Sequence, residues 1–222
     1  KNLARILWVF ALAGCLPGSK RSTLKEAFQD KFLIGVAVNR FQIHQRNEEE
    51  NRLIATEFNS LTGENDMKWM HIHPKKDEYN FEHADKLVAL AEANDMFLVG
   101  HTLVWHSQLA PWVFKTDEGN PIDSVELTRR MRDHIHTIVG RYKGKVNGWD
   151  VVNEALAEDG SLRKSQFLDI GGEAFLEKAF RFAHEADPEA ERRRLDKRAA
   201  DPCLGRLDDH VVDLARLLGV VA

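Results

Sequence analysis

A chain of 222 residues, 43% of them hydrophobic, holds enough apolar material for one large soluble core or two small ones. Its 31 basic residues against 35 acidic leave a formal net charge of -4, which argues against a nucleic-acid binder that works by neutralising phosphates. Two cysteines, Cys15 and Cys203, are too few for a disulfide framework.

In chain order, residues 1–14 read as an export signal. Lys1 and Arg5 are basic, Ile6 to Ala13 is an apolar run too short to span a bilayer, and Gly14, Cys15 and a Pro-Gly-Ser stretch follow. Leu12-Ala13-Gly14-Cys15 is similar to a bacterial lipoprotein signal, which implies lipidation of Cys15; the alternative is a plain secretory signal that happens to hold a cysteine. The expectation is a secreted or extracytoplasmic chain with a lipid anchor to a bacterial membrane. Residues 15–31 are polar and charged and read as a linker with some helical character.

From Phe32 onward, short apolar runs alternate with amphipathic stretches. The runs predict strands near 32–38, 60–63, 97–101 and 146–152. Helices are predicted over 47–59 behind an acidic first turn of Glu48, Glu49 and Glu50, and over 82–94 with Leu87, Leu90 and Ala91 on one face. Two more are predicted over 125–142, with Leu127, Met131, Ile135 and Ile138 in phase, and over 172–186, with Phe175, Ala179, Phe182 and Ala183. Strand–helix alternation implies βαβ units and a parallel sheet. Asn39, Glu64-Asn65, His101 and Asn153-Glu154 each end a run, at the carboxyl end of its strand. Polar groups there suit a barrel, whereas an open doubly wound sheet gathers them at one switch point. The predicted fold is α/β, the first four βα units of an incomplete (β/α)8 TIM barrel, with Glu64, His101 and Glu154 converging on one face. No GxGxxG or Walker pattern supports nucleotide binding.

Three stretches carry chemistry. Trp149 to Leu156 (WDVVNEAL) puts Asn153 and Glu154 at a strand tip, where burial against aromatic walls would raise a carboxyl toward use as a general acid. Gly63 to Trp69 (GENDMKW) sets Glu64, Asn65 and Lys68 within a turn of one another, a set of donors and acceptors for vicinal hydroxyls. Gly100 to His106 (GHTLVWH) offers His101 as a donor and Trp105 as an apolar wall for a sugar ring. Taken singly, each has a plain alternative: a turn-capping pair, a solvated charge cluster, a core histidine and tryptophan. His71, His73, His101 and His106 have His-x-His and His-x4-His spacing, which is not a zinc pattern, so no metal and no cofactor is expected.

Together and in this order, GENDMKW, GHTLVWH and WDVVNEAL resemble glycoside hydrolase family 10, the (β/α)8 xylanases. Residues 32–39 (FLIGVAVN) and 77–85 (DEYNFEHAD) fit the same family, and the resemblance covers about 32–191. It implies endo-1,4-β-xylanase activity on xylan or xylo-oligosaccharides by a retaining mechanism. It makes Glu154 the general acid/base. Glu64, Asn65 and Lys68 correspond to groups binding sugar on the non-reducing side of the cleaved bond. His101, Trp105 and Asn153 correspond to groups around the sugar at the cleavage point. Trp112, in a matching LAPWV stretch, reads as structural.

The pattern departs from the family after Glu191. A retaining glycosidase needs a second carboxylate roughly 5–5.5 Å from the acid. The resemblance puts it on a later strand with a Thr-Glu-Leu-Asp-type motif, which these residues do not contain. Arg192 to Ala222 turns abruptly basic and polar and reads as a non-homologous or frameshifted tail. Three outcomes stay open at this point: a weakly active or inactive xylanase, a non-catalytic xylan-binding fragment, and a truncated product without function.

Overall fold

A computed structural model describes residues 22–190. The signal segment, Cys15, most of the first half of the linker and the 192–222 tail lie outside the described residues. The elements run α1 (Leu24–Ala27), β1 (Gly35–Val38), α2 (Arg40–Ile43), α3 (Glu48–Glu57), β2 (Ser60–Gly63), α4 (Trp69–Ile72), α5 (Glu82–Ala93), β3 (Phe97–Trp105), a 3-10 turn (Pro111–Phe114), α6 (Ser124–Arg141), β4 (Gly148–Asn153), α7 (Gln166–Gly171) and α8 (Ala174–Ala186). The sheet order is β1-β2-β3-β4, with every pairing parallel. This is the predicted succession of four βα units.

Alternation along the strands separates two faces. Val38, Leu61 and Leu98 are fully buried beneath the helices. Gly35 and Ala37, paired with Ser60 and Thr62, lie on the other face and are more exposed. Further along that face, His101 is paired with Asp150. The helices cover one side because their apolar stripes match the sheet's buried side: Leu87, Val88 and Ala91 on α5, Leu127, Met131, Ile135 and Ile138 on α6, Phe175 and Phe182 on α8. Local signals start the helices. Asn47 caps α3 by accepting from the Glu49 and Glu50 amides, and Asp123 caps α6 through the Glu126 amide.

Four boundaries differ from expectation. β1 begins at Gly35 rather than 32, since Phe32 and Leu33 are 53% and 42% exposed and precede the ladder. β4 is offset to Gly148–Asn153. β3 runs on to Trp105 rather than stopping near 101, because the pairing with β4 shifts register between His101 and Val104 and then resumes. The helix expected over 172–186 starts at Ala174, and α7 precedes it unanticipated, capped by Ser165 and stopped at Gly172, whose φ of 62° is left-handed.

One aromatic stack ties α4 to α6. The Trp69 ring stacks on the ring of His134, the centroids 3.7 Å apart and the planes nearly parallel. His134 Nδ1 and His73 Nδ1 are 3.1 Å apart, and His73 Nε2 sits 3.0 Å from the Lys76 carbonyl. Donation to that carbonyl leaves His73 Nδ1 as the acceptor for His134. Burial pushes both imidazoles below their ordinary range, His134 furthest. Trp112 closes the stack edge-on and donates from Nε1 to the His73 carbonyl, which fits the structural part read for it.

Candidate active site

The carboxyl ends of β2, β3 and β4 bring most of the expected residues together. Glu64 and Asn65 follow β2 directly, and the Glu64 amide is tied to the Val38 carbonyl at the end of β1 (2.8 Å). Lys68 folds back so that Nζ donates to Asn65 Oδ1 at 3.1 Å and lies 4.7 Å from the centre of the Trp105 ring. Burial lowers its ammonium, and the carboxylates of Glu64 and Glu154 pull in the opposite direction. One cation therefore senses a carboxylate from β2 and one from β4.

Trp105 ends β3 and faces Asn153 across the ladder. Its indole Nε1 donates to Glu154 Oε2 at 3.0 Å, and His106 Nε2 lies 3.7 Å from the same oxygen. Glu154 itself has φ of 52°, a left-handed backbone uncommon outside glycine. Arg163 braces that turn: Nε donates to the Glu154 carbonyl at 2.9 Å and a terminal nitrogen to the Leu156 carbonyl at 3.2 Å. The Glu154 side chain is 47% exposed. The expected desolvation by aromatic walls is therefore not supplied by the described residues, which contact this carboxylate from the β3 side.

His101 sits deeper. Its Nδ1 is 2.9 Å from Asp150 Oδ2, on the open face of the sheet and four positions before Trp105. It shares a face with the site, but its polar partner is Asp150 and not Glu64 or Glu154. The four histidines weighed as a metal set do not gather. His73 is committed to His134, His101 to Asp150, His106 stands by Glu154, and His71 bonds the Gln108 side chain.

Sequence reasoning passed over Asp150, Arg163 and the contact of His106 with Glu154. Asp150 had a usable signal, a charged residue inside an apolar run at the register of His101. Arg163 had none, since it reaches Glu154 from nine residues away through a loop. Arg40 was also missed. Its Nε meets Asp66 Oδ1 at 2.6 Å, and Asp66 is almost fully buried between Asn65 and Lys68.

A family model, Glycosyl hydrolase family 10, matches residues 23–193, slightly more than the stretch carrying the motifs. The chain is 45% identical over 169 residues to Endo-1,4-beta-xylanase A of Xylanibacter ruminicola, covering 76% of this chain and 46% of that protein. It is 45% identical over 187 residues to Beta-1,4-xylanase of Dictyoglomus thermophilum, covering 83% and 50%. Among solved structures, a GH10 endoxylanase retrieved from sugarcane soil metagenome superposes with a TM-score of 0.72 at 46% identity, over 74% of this chain and 48% of that one. Xylanase 10B from Thermotoga petrophila RKU-1, in complex with xylobiose, gives 0.70 at 43%, over 76% and 51%. The chain thus spans about half the length of the relatives it matches.

Proposed function

Because this chain belongs to glycosyl hydrolase family 10, we propose that it carries the acid/base half of an endo-1,4-β-xylanase site acting on xylan or xylo-oligosaccharides. The observation that supports this most is the approach of Trp105 Nε1 and His106 Nε2 to one oxygen of Glu154. A carboxyl oriented this way protonates the leaving glycosidic oxygen and then, as the base, takes a proton from water. Glu64, Asn65 and Lys68 bind sugar hydroxyls on the non-reducing side. Trp105 gives the ring face, and Asn153 and His101 line the cleavage point. Asp150 and Arg163 act indirectly, holding His101 and the Glu154 turn.

Retention of configuration requires a nucleophilic carboxylate roughly 5–5.5 Å from the acid. Asp150 is engaged with His101, and the family resemblance puts the nucleophile on a strand after these four. Assayed alone, the 222 residues are expected to bind xylo-oligosaccharide weakly and to release little or no reducing sugar from xylan. Calorimetry should give a binding isotherm that Lys68→Ala weakens about tenfold, a loss typical of one charged hydrogen bond. Robust hydrolysis abolished by Glu154→Gln would place a working nucleophile within these residues and overturn the half-site reading. Absence of any sugar binding would overturn the assignment of the clamp.

The proposal extends to location. Removal of residues 1–14 and acylation of Cys15 would hold the chain outside the cytoplasm, with more than one acyl chain needed for a stable anchor. Intact-mass analysis after expression in a bacterium should show acylated Cys15 as the first residue. An unmodified Cys15 or a different mature terminus refutes it.

A further inference from the structure

We propose that His44, Glu82 and His83 form a binding site for one zinc-type divalent cation on the rim of the sheet, apart from the carbohydrate site and independent of the xylanase reading. His44 caps the carboxyl end of α2, and Glu82 and His83 open α5. One ligand atom from each lies within 4.8 Å of the others, the only such trio among the described residues. His44 Nε2 and His83 Nδ1 face each other at 3.0 Å with their rings inclined at 62°. A tetrahedral ion about 2.0–2.1 Å from each nitrogen would hold them roughly 3.3 Å apart, so a small opening of the pair admits it.

A cation already touches this cluster. Lys86 Nζ lies 3.0 Å from Glu82 Oε1 and 3.3 Å from His44 Nδ1. Its side chain is 44% exposed and free to swing into solvent when a metal takes its place beside Glu82. With Lys86 donating to His44 Nδ1, the His44 proton sits on Nε2 and is shared with His83. Metal binding moves that proton to Nδ1, the position Lys86 vacates, and frees both facing lone pairs with no net proton change. Two imidazoles and one carboxylate suit zinc and its first-row neighbours, and are a poor set for calcium or magnesium, which take oxygen donors. The fourth position would hold water. An ion here would clip α2 to α5, and through the Arg40–Asp66 pair would brace the segment carrying Asn65 and Lys68.

The full 222-residue chain should be titrated calorimetrically with zinc chloride, beside His44→Asn/His83→Asn and, as a control, His184→Asn on exposed α8. The double variant should lose one zinc equivalent relative to the parent and the control, whatever Cys15, Cys203 and His210 bind elsewhere. Saturating zinc should raise the parent's melting temperature by roughly 5 °C and leave the double variant unmoved. Circular dichroism without metal checks that the double variant is folded. Glu82→Gln, which leaves both rings in place, should weaken the same equivalent about tenfold. A double variant that keeps the equivalent, or a Glu82→Gln chain that binds zinc as tightly as the parent, overturns the site.

Discussion

Gly100→Ala is expected to destabilise the fold by about 3 kcal/mol or more, at the upper end of overpacking costs. A Cβ at Gly100 would stand 2.2, 2.3 and 2.7 Å from three ring carbons of Trp149, its register partner on β4. The obstacle is a rigid ring, so relief requires the ring or the strand to move. Displacing either disturbs the β3–β4 ladder, which sets Trp105 against Glu154. Urea unfolding followed by tryptophan fluorescence should show a much lower midpoint, with weaker sugar binding alongside it. Gly35→Ala is the matched control: its Cβ would meet only Ser60, at an ordinary 3.7 Å. Equal midpoints for the two variants would show that Gly100 does not govern the packing of these strands.

The second large effect is a loss of stability in acid. His134 is fully buried, and desolvation first, then the charge of His73, drives its imidazole well below the ordinary value of 6.5. His73 is lowered in the same direction, mainly by burial. A base whose folded value is depressed stays neutral in the folded state while the unfolded chain takes up a proton. Its contribution is fully present above the unfolded value and drains away as pH falls from about 6.5 toward the folded value. Each proton excluded costs about 1.4 kcal/mol per pH unit in that window. From pH 6.5 to 5.5, where the unfolded imidazole goes from half to nearly fully protonated, stability should therefore fall by about 1 kcal/mol through His134 alone, and the slope should steepen below that. His134→Phe, which keeps a ring against Trp69, should flatten the slope over the same window. An unchanged slope would mean that other groups set the acid limit.

These two expectations rest on different amounts of sequence information. The βα succession was legible because each amphipathic stretch repeats its apolar side chains at helical spacing, as Leu127, Met131, Ile135 and Ile138 do on α6. Strand ends were less legible. Nothing local marks the resumption of pairing after His101, which depends on β4 lying alongside. Glu64, Asn65, Lys68, Trp105, Asn153 and Glu154 were read from three short motifs, since strand tips collect site residues in a barrel. His101 was read with them, yet its partner is Asp150 rather than a residue at the rim.

The sequence by itself determined the class of fold, the family and the residues at the strand ends, because periodicity, caps and short motifs are properties of neighbours along the chain. Only the tertiary structure decided which groups meet. It brought Trp105 and His106 to the same oxygen of Glu154, set Arg163 under a left-handed turn, buried His134 beside His73, and faced His44 with His83. Those contacts join residues up to 61 positions apart, and their geometry follows from how helices settle on the sheet. A hydrogen bond is decided within a few tenths of an ångström, and spacing along the chain carries no information at that scale.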